Sequence, residues 1–170
     1  AQLAKLKAEK LGAESVFIDL ADYSLPIFDE DIESRATPKA LDDLRSVFSQ
    51  ASGLFIASPE YNGSFSAALK NTLDWLSRPA NEGGYQPDFN KLTVALAAAS
   101  PGSLGGIRGL SHLRELMSNL GAIVLPQQLA LGSAYNAFDE HGQLDNIDMR
   151  ERFDHLIHEL ISTSTKLAHP

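Results

Sequence analysis

The chain contains no cysteine. That excludes disulfides, thiolate metal sites, iron–sulfur ligation and a cysteine nucleophile, and it fits a reducing compartment. Positive charge is scarce as well: 14 lysines and arginines stand against 22 acids, for a formal net charge of -8. Neutralising a phosphate backbone takes basic stripes, and none occurs, so nucleic acid is not an expected partner. No apolar run approaches the roughly 20 residues a membrane-spanning helix needs, and no signal-peptide pattern opens the chain. Repeats and low-complexity tracts are absent too. The G-x-S-x-G elbow, the H-E-x-x-H zinc motif, the G-x-G-x-x-G fingerprint and the G-x-x-x-x-G-K-[ST] phosphate loop are all missing. The first residue is Ala1 rather than methionine, and no capping residue precedes the first helical pattern.

What is present is an ordinary globular composition, 44% apolar and 21% charged, in 170 residues. One domain spanning residues 1–170, with a sizeable core, is the natural expectation. Leu3, Leu6 and Leu11 mark a helix that Gly12 closes in a left-handed conformation. Val16-Phe17-Ile18, within Ser15 to Leu20, is a strand candidate. Ala21 to Thr37, with Pro26 and the acids Asp29, Glu30, Asp31 and Glu33, reads as a solvated surface loop. Thr37-Pro38 reads as an N-cap followed by proline at the first helical position. Leu41, Leu44, Phe48 and Ala51 line the buried face of the helix that follows.

Leu54 to Ala57 and Leu92 to Ala98 are apolar without alternation, as strands covered on both faces are. Ile123 to Leu125 is a further strand core, which Gln127 to Leu131 extends past Pro126. Helices follow each: Phe65, Leu69, Leu73 and Leu76 recur at helical spacing, as do Leu110, Leu113, Met117 and Leu120. The last helix runs from about Asp148 to Lys166. Strands alternating with helices make βαβ units and an open, doubly wound parallel sheet in three α/β/α layers. In such sheets ligands sit in the crevice outside the strand carboxyl ends.

Two polar turns meet that description. Ser58-Pro59-Glu60-Tyr61-Asn62-Gly63-Ser64 follows one strand, with Asn62-Gly63 as a turn signal and Ser64 or Ser66 as the cap of the next helix. Ser100-Pro101-Gly102-Ser103-Leu104-Gly105-Gly106 follows the other; its glycines permit close approach of backbone N–H groups to a ligand. His155 and His158 sit i, i+3 on the last helix between Asp154 and Glu159, which reads as a solvated face rather than a metal site. Glu60 has no nameable partner as a general base. Ser77 to Asn90, centred on Gly83-Gly84, is a long loop of the kind that serves as a lid, a binding loop or an interface.

Pro59-Glu60-Tyr61-Asn62-Gly63-Ser64, then Leu69-Lys70-Asn71 and Asp74-Trp75, resemble the signature of the NADPH-dependent FMN reductase family. That is the flavodoxin-like group of NAD(P)H:quinone, azo-dye and chromate reductases. Asp19-Leu20 with Leu25-Pro26, Ser100-Pro101-Gly102 with Gly105-Gly106, and Phe138-Asp139-Glu140 with Gly142 extend the resemblance over nearly the whole chain. It implies FMN as cofactor and NADPH or NADH as donor. Pro59, Glu60, Tyr61 and Asn62 would lie on one side of the flavin ring, and Ser100, Gly102, Gly105 and Gly106 on the other. It also implies quinones, azo compounds, chromate or free flavin as acceptors, and ping-pong use of one flavin face. No catalytic side chain and no metal are expected, because the flavin carries the chemistry. The family implies a homodimer or homotetramer, with Tyr85 or Arg108 as boundary candidates, and the absence of cysteine fits a cytoplasmic protein.

The family opens with a strand and a phosphate-gripping loop that have no counterpart from Ala1 onward. The expectation is therefore that either further residues precede Ala1, so that intact mass exceeds the 18.4 kDa of these 170 residues, or the chain is a crippled fragment. The rival expectation is a non-catalytic flavodoxin-like module that has lost FMN.

Overall fold

The computed structural model describes residues 1–79 and 88–168. The first helix, α1 (Gln2–Lys10), ends as expected: Gly12 has φ 84°, and the amides of Gly12 and Ala13 turn back to the carbonyls of Glu9 and Ala8. Three strands form the parallel sheet: β1 (Gly53–Ala57), β4 (Thr93–Ala99) and β5 (Ile123–Leu131), in the order β1-β4-β5. Between β1 and β4 lies a two-residue hairpin, β2 (Glu60–Tyr61) with β3 (Ser64–Phe65), followed by helix α4 (Ala67–Leu76). Helix α3 (Lys39–Gln50) precedes β1, α5 (Ile107–Asn119) joins β4 to β5, and α6 (Ile147–Ala168) closes the described chain.

The two sheet faces are sorted by strand alternation. Val94, Leu96 and Ala98 point to a core shared with α3, α4 and α5, while Ala95 and Ala97 point to a second core built on α1 and α6. A parallel sheet with helices on both faces results, as the unbroken apolar runs require. β4, paired on both edges, is buried from Thr93 to Ala98.

Four local expectations change. Ser15 to Leu20 forms no ladder: Val16 is 65% exposed, and no described strand lies beside it to take its backbone hydrogen bonds. The segment Ala21 to Thr37 is more than a solvated loop. It carries a short helix, α2 (Glu30–Arg35), capped by the Asp29 carboxylate, and lays Leu25, Phe28 and Ile32 on the first core. Helix α3 starts one residue later than expected, with Pro38 in the flanking position and no side-chain cap there. The stretch after β1 is a hairpin rather than a plain turn. Its two central residues, Asn62 (φ 51°) and Gly63 (φ 79°), both adopt the positive φ that a tight hairpin turn demands.

β5 runs through Pro126 as expected, but irregularly. Val124 pairs with Val94 and Gln128 with Leu96, so three residues stand opposite Ala95. Arg114 of α5 fills the gap, donating to the carbonyls of Leu125 (2.8 Å) and Pro126 (3.3 Å) and to Gln128 Oε1 (2.9 Å).

Most of Ser77 to Asn90, including Gly83, Gly84 and Tyr85, lies outside the described residues. The base of that loop is fixed by Arg45, a buried arginine whose Nη2 donates to the carbonyls of Arg78 (3.0 Å) and Pro79 (3.3 Å), where the α4 dipole is negative.

Candidate flavin site at the strand carboxyl ends

β1 and β4 run parallel and in register from Gly53 opposite Thr93 to Ala57 opposite Ala97, so both polar turns emerge at one end of the sheet. At the base of the first, Ser58 is buried. Its Oγ donates to the Pro59 carbonyl (3.1 Å) and accepts from the Ser66 amide (3.1 Å), closing the hairpin at its foot. Ser66 is the residue that caps α4, its Oγ accepting from the Leu69 amide. The signature residues on α4 hold the loop before α2. Asn71 accepts from the Phe28 amide (2.8 Å) and donates to the Pro26 carbonyl (2.9 Å), which also accepts from Trp75 Nε1 (2.9 Å). Trp75 is core: 1% exposed, with Phe28 edge-on at 4.9 Å. Lys70 pairs with Asp74 on the outer face of the helix.

The eight residues expected at the flavin ring do not share one environment. Pro59, Tyr61 and Asn62 are exposed on the hairpin, and Tyr61, at 63% exposure, presents its ring to solvent. Glu60 turns the other way. Its side chain is 8% exposed and reaches the first turn of α5. Oε2 accepts the amides of Arg108 and Gly109, both at 3.1 Å, and Oε1 accepts Arg108 Nε (3.0 Å) and Nη2 (2.6 Å). The Gly109 amide and the Arg108 guanidinium hold its carboxyl below the usual glutamate range. A carboxylate so engaged is a poor general base.

In the second loop Ser100 is half-buried and Gly102 exposed. Ser100 Oγ accepts the Gly102 amide (3.3 Å), and the Gly102 carbonyl accepts the amides of Gly105 and Ser133. Gly105 and Gly106 are buried beneath the loop. A Cβ on Gly105 would lie 2.7 Å from the β5 backbone at Ala130 and Leu131, and one on Gly106 would lie 2.7 Å from Ala98 Cβ. These two glycines let the loop settle onto the sheet. The more open backbone is at Gly102, where an added Cβ would meet only Ser100 Oγ at 3.7 Å.

Sequence reasoning missed a third loop. Gly132 to Asn136, after β5, packs on the second: the Ala134 amide donates to the Ser100 carbonyl (3.1 Å), and a Cβ on Gly132 would meet the Ser103 carbonyl oxygen at 2.6 Å. The glycine directly after a buried strand was the available signal. Ser133, at φ 52°, gave none. Among the described residues no cluster of histidine and carboxylate side chains could hold a metal ion, and His155 and His158 stand on the exposed face of α6.

The donor set fits a flat, largely uncharged ring. Exposed loop backbone at two adjacent strand ends is bordered by an aromatic side chain. The one guanidinium within these two loops and the first turn of α5, Arg108, is already paired. This is a flavodoxin-like crevice at the carboxyl ends of a parallel sheet.

Residues 1–136 match the NADPH-dependent FMN reductase family. The chain is 38% identical over 136 residues to an NAD(P)H-dependent FMN reductase of Pseudomonas aeruginosa, covering 79% of this chain and 71% of that protein. It is 32% identical over 160 residues to an NADPH:quinone oxidoreductase of Arabidopsis thaliana, covering 92% and 77%. Its fold superposes on FerB, a flavoenzyme NAD(P)H:(acceptor) oxidoreductase of Paracoccus denitrificans, with a TM-score of 0.77 at 20% identity over 96% of this chain and 88% of that one. The chain belongs to the NADPH-dependent FMN reductase family, and with it to the oxidoreductases that work with FMN and NAD(P)H. No helix among the described residues is long and apolar enough to cross a membrane.

Proposed function

We propose that this protein is an FMN-dependent NAD(P)H oxidoreductase passing electrons to quinones or chemically similar acceptors, such as azo compounds, chromate or free flavin. The observation that carries the reading is the pair of loops at adjacent strand ends, the first joined by Glu60 to the helix that follows the second and bearing Tyr61 at its surface, in a chain of this family. FMN, when bound, would supply the redox chemistry that links a nicotinamide donor to the acceptor. The chain's own residues position it. Backbone groups of Pro59 to Asn62 and of Ser100 to Gly102 would hold the ring between them. Tyr61 shields an edge of the ring from water. Gly105 and Gly106 serve the site from below, by setting the height of the second loop.

No side chain at the crevice is assigned a proton transfer, since Glu60 is committed to α5. Donor and acceptor would use the one site in turn, which is ping-pong kinetics. Residues 1–170 act as one flavodoxin-like domain in a cytoplasmic homodimer or homotetramer. The test is an absorption spectrum of purified protein after incubation with FMN and desalting. A retained flavin band that NADPH or NADH bleaches without oxygen, and that a quinone restores, is the expected result. Protein that stays colourless would sink this reading in favour of a non-catalytic module.

A further inference from the structure

A hairpin with two residues per strand cannot hold itself in place in water. Ser58 closes β2–β3 at its foot, and three further contacts hold the hairpin against α5. Gly109 lets the helix approach so closely that a Cβ there would lie 3.2 Å from the Ser64 carbonyl carbon and oxygen. His112 Nδ1 lies 3.3 Å from Ser64 Oγ. The third contact is the Glu60 carboxylate.

Helix α5 begins at Gly106, at φ 86°, with no capping side chain of its own. Its first-turn amides are orphans that some group must satisfy. Glu60 does so from 48 residues away in sequence, accepting the amides of Arg108 and Gly109, the second and third helical residues, where a local cap would bind. A full negative charge thus sits on the positive end of the helix, in the place an anionic ligand would otherwise occupy. The same carboxylate pairs with the guanidinium of Arg108, in the first turn of α5.

We infer that Glu60 is the positioning residue of the flavin site. By capping α5 from the hairpin, its carboxylate sets the distance between the wall that carries Tyr61 and Asn62 and the wall formed by Ser100 to Gly106. It also withholds the α5 N-terminus and Arg108 from anionic ligands, so neither a flavin phosphate nor the 2′-phosphate of NADPH is read there. This rests on the crevice holding the flavin ring as proposed above.

The experiment compares wild type with E60A, E60Q and R108M in two measurements. The first is amide hydrogen exchange of the FMN-free protein. Loss of the carboxylate in E60A speeds exchange at Arg108, Gly109 and residues 61–65 at least about tenfold, the scale expected from losing a helix cap, while α6 is unchanged. The second is FMN titration, followed by quenching of flavin fluorescence and by the visible circular dichroism of the bound flavin. E60A weakens FMN binding by about tenfold and alters the dichroism. E60Q, which keeps one acceptor oxygen, and R108M, which keeps both amide bonds, fall between wild type and E60A; they also serve if E60A does not fold. Unchanged hairpin exchange in E60A or, failing that, in E60Q overturns the inference. So does a loosened hairpin with unaltered FMN affinity and dichroism, or R108M matching E60A throughout. Wild-type protein that takes up no FMN overturns the flavin reading and the positioning role together, while the exchange data still report whether the hairpin lock exists.

Discussion

The two walls of the crevice are built by opposite means. The hairpin wall is held by side chains that reach across space: Ser58 to the Ser66 amide, Ser66 to α4, and Glu60 to α5. The glycine wall is held by side chains that are not there. Gly105, Gly106 and Gly132 each let backbone meet sheet or loop at distances no Cβ would tolerate. The hairpin wall therefore breaks when atoms are subtracted, and the glycine wall when atoms are added. Two surfaces that would line one ligand have different failure modes and different freedom to vary.

The largest effect expected from this contrast is at Gly105. G105A places a Cβ 2.7 Å from three backbone atoms of Ala130, Leu131 and Gly132, on a residue with φ 62°. Left-handed strain and overpacking together come to roughly 2–4 kcal/mol. A thermal melt should show a midpoint lower by roughly 5–15 °C; a change under about 2 °C would mean the loop backs away freely and the wall is not glycine-dependent. Next is S58A, which leaves the Ser66 amide unpaired at the foot of the hairpin and costs about 1–2 kcal/mol. Urea unfolding should show this as a lower midpoint at an unchanged slope, and an unshifted midpoint would place the hairpin's foothold elsewhere.

Third is the pH dependence of the Glu60 lock. Its folded-state carboxyl is held below the ordinary value, so its contribution is complete above about pH 4.3 and is lost as pH falls through the depressed value. Wild type should melt above E60Q at neutral pH, and the two curves should converge in acid. A gap that stays constant down to the acid limit would remove the carboxylate's charge from the account. Glu33, Asp88 and Asp139 are also held low, but they contribute equally to both proteins.

The smallest effect is at Gly63. Its φ of 79° resembles that of Gly105, yet an added Cβ meets nothing within 4 Å. G63A should therefore cost only backbone strain, about 1 kcal/mol, measured by the same melt. If G63A proved as damaging as G105A, conformation rather than crowding would govern both walls.

The sheet and its helices were legible because apolar runs and helical spacing report burial directly. Leu92 to Ala98 reads as a two-faced strand and is one. The crevice was legible at the level of which loops face one end of the sheet, since that follows from parallel pairing. What each residue does there was not. Asn62-Gly63 announced a turn, but two-residue strands are too short to leave a pattern on either side of it. Glu60 reads like any acidic turn residue, because its partners lie 48 and 49 residues away on a helix whose own start shows no cap. Gly105 and Gly106 look like ligand-facing glycines in sequence; only the approach of β4 and β5 from below shows what their missing side chains make room for. Trp75 could not be assigned to the core without Phe28, which arrives from a segment that reads as solvated. Val16 to Ile18 has the composition of a strand, but strand formation depends on a neighbour as much as on composition.

The irregular pairing of β5 bears on how the protein keeps to itself. Among the described residues β5 is an outer strand of the parallel sheet, nine residues long and rich in aliphatics, the kind of edge onto which a second chain can add a strand. Three residues standing opposite Ala95 and a proline with no N–H to offer break the strand into two short regular pieces, which makes it a poorer template for a second chain.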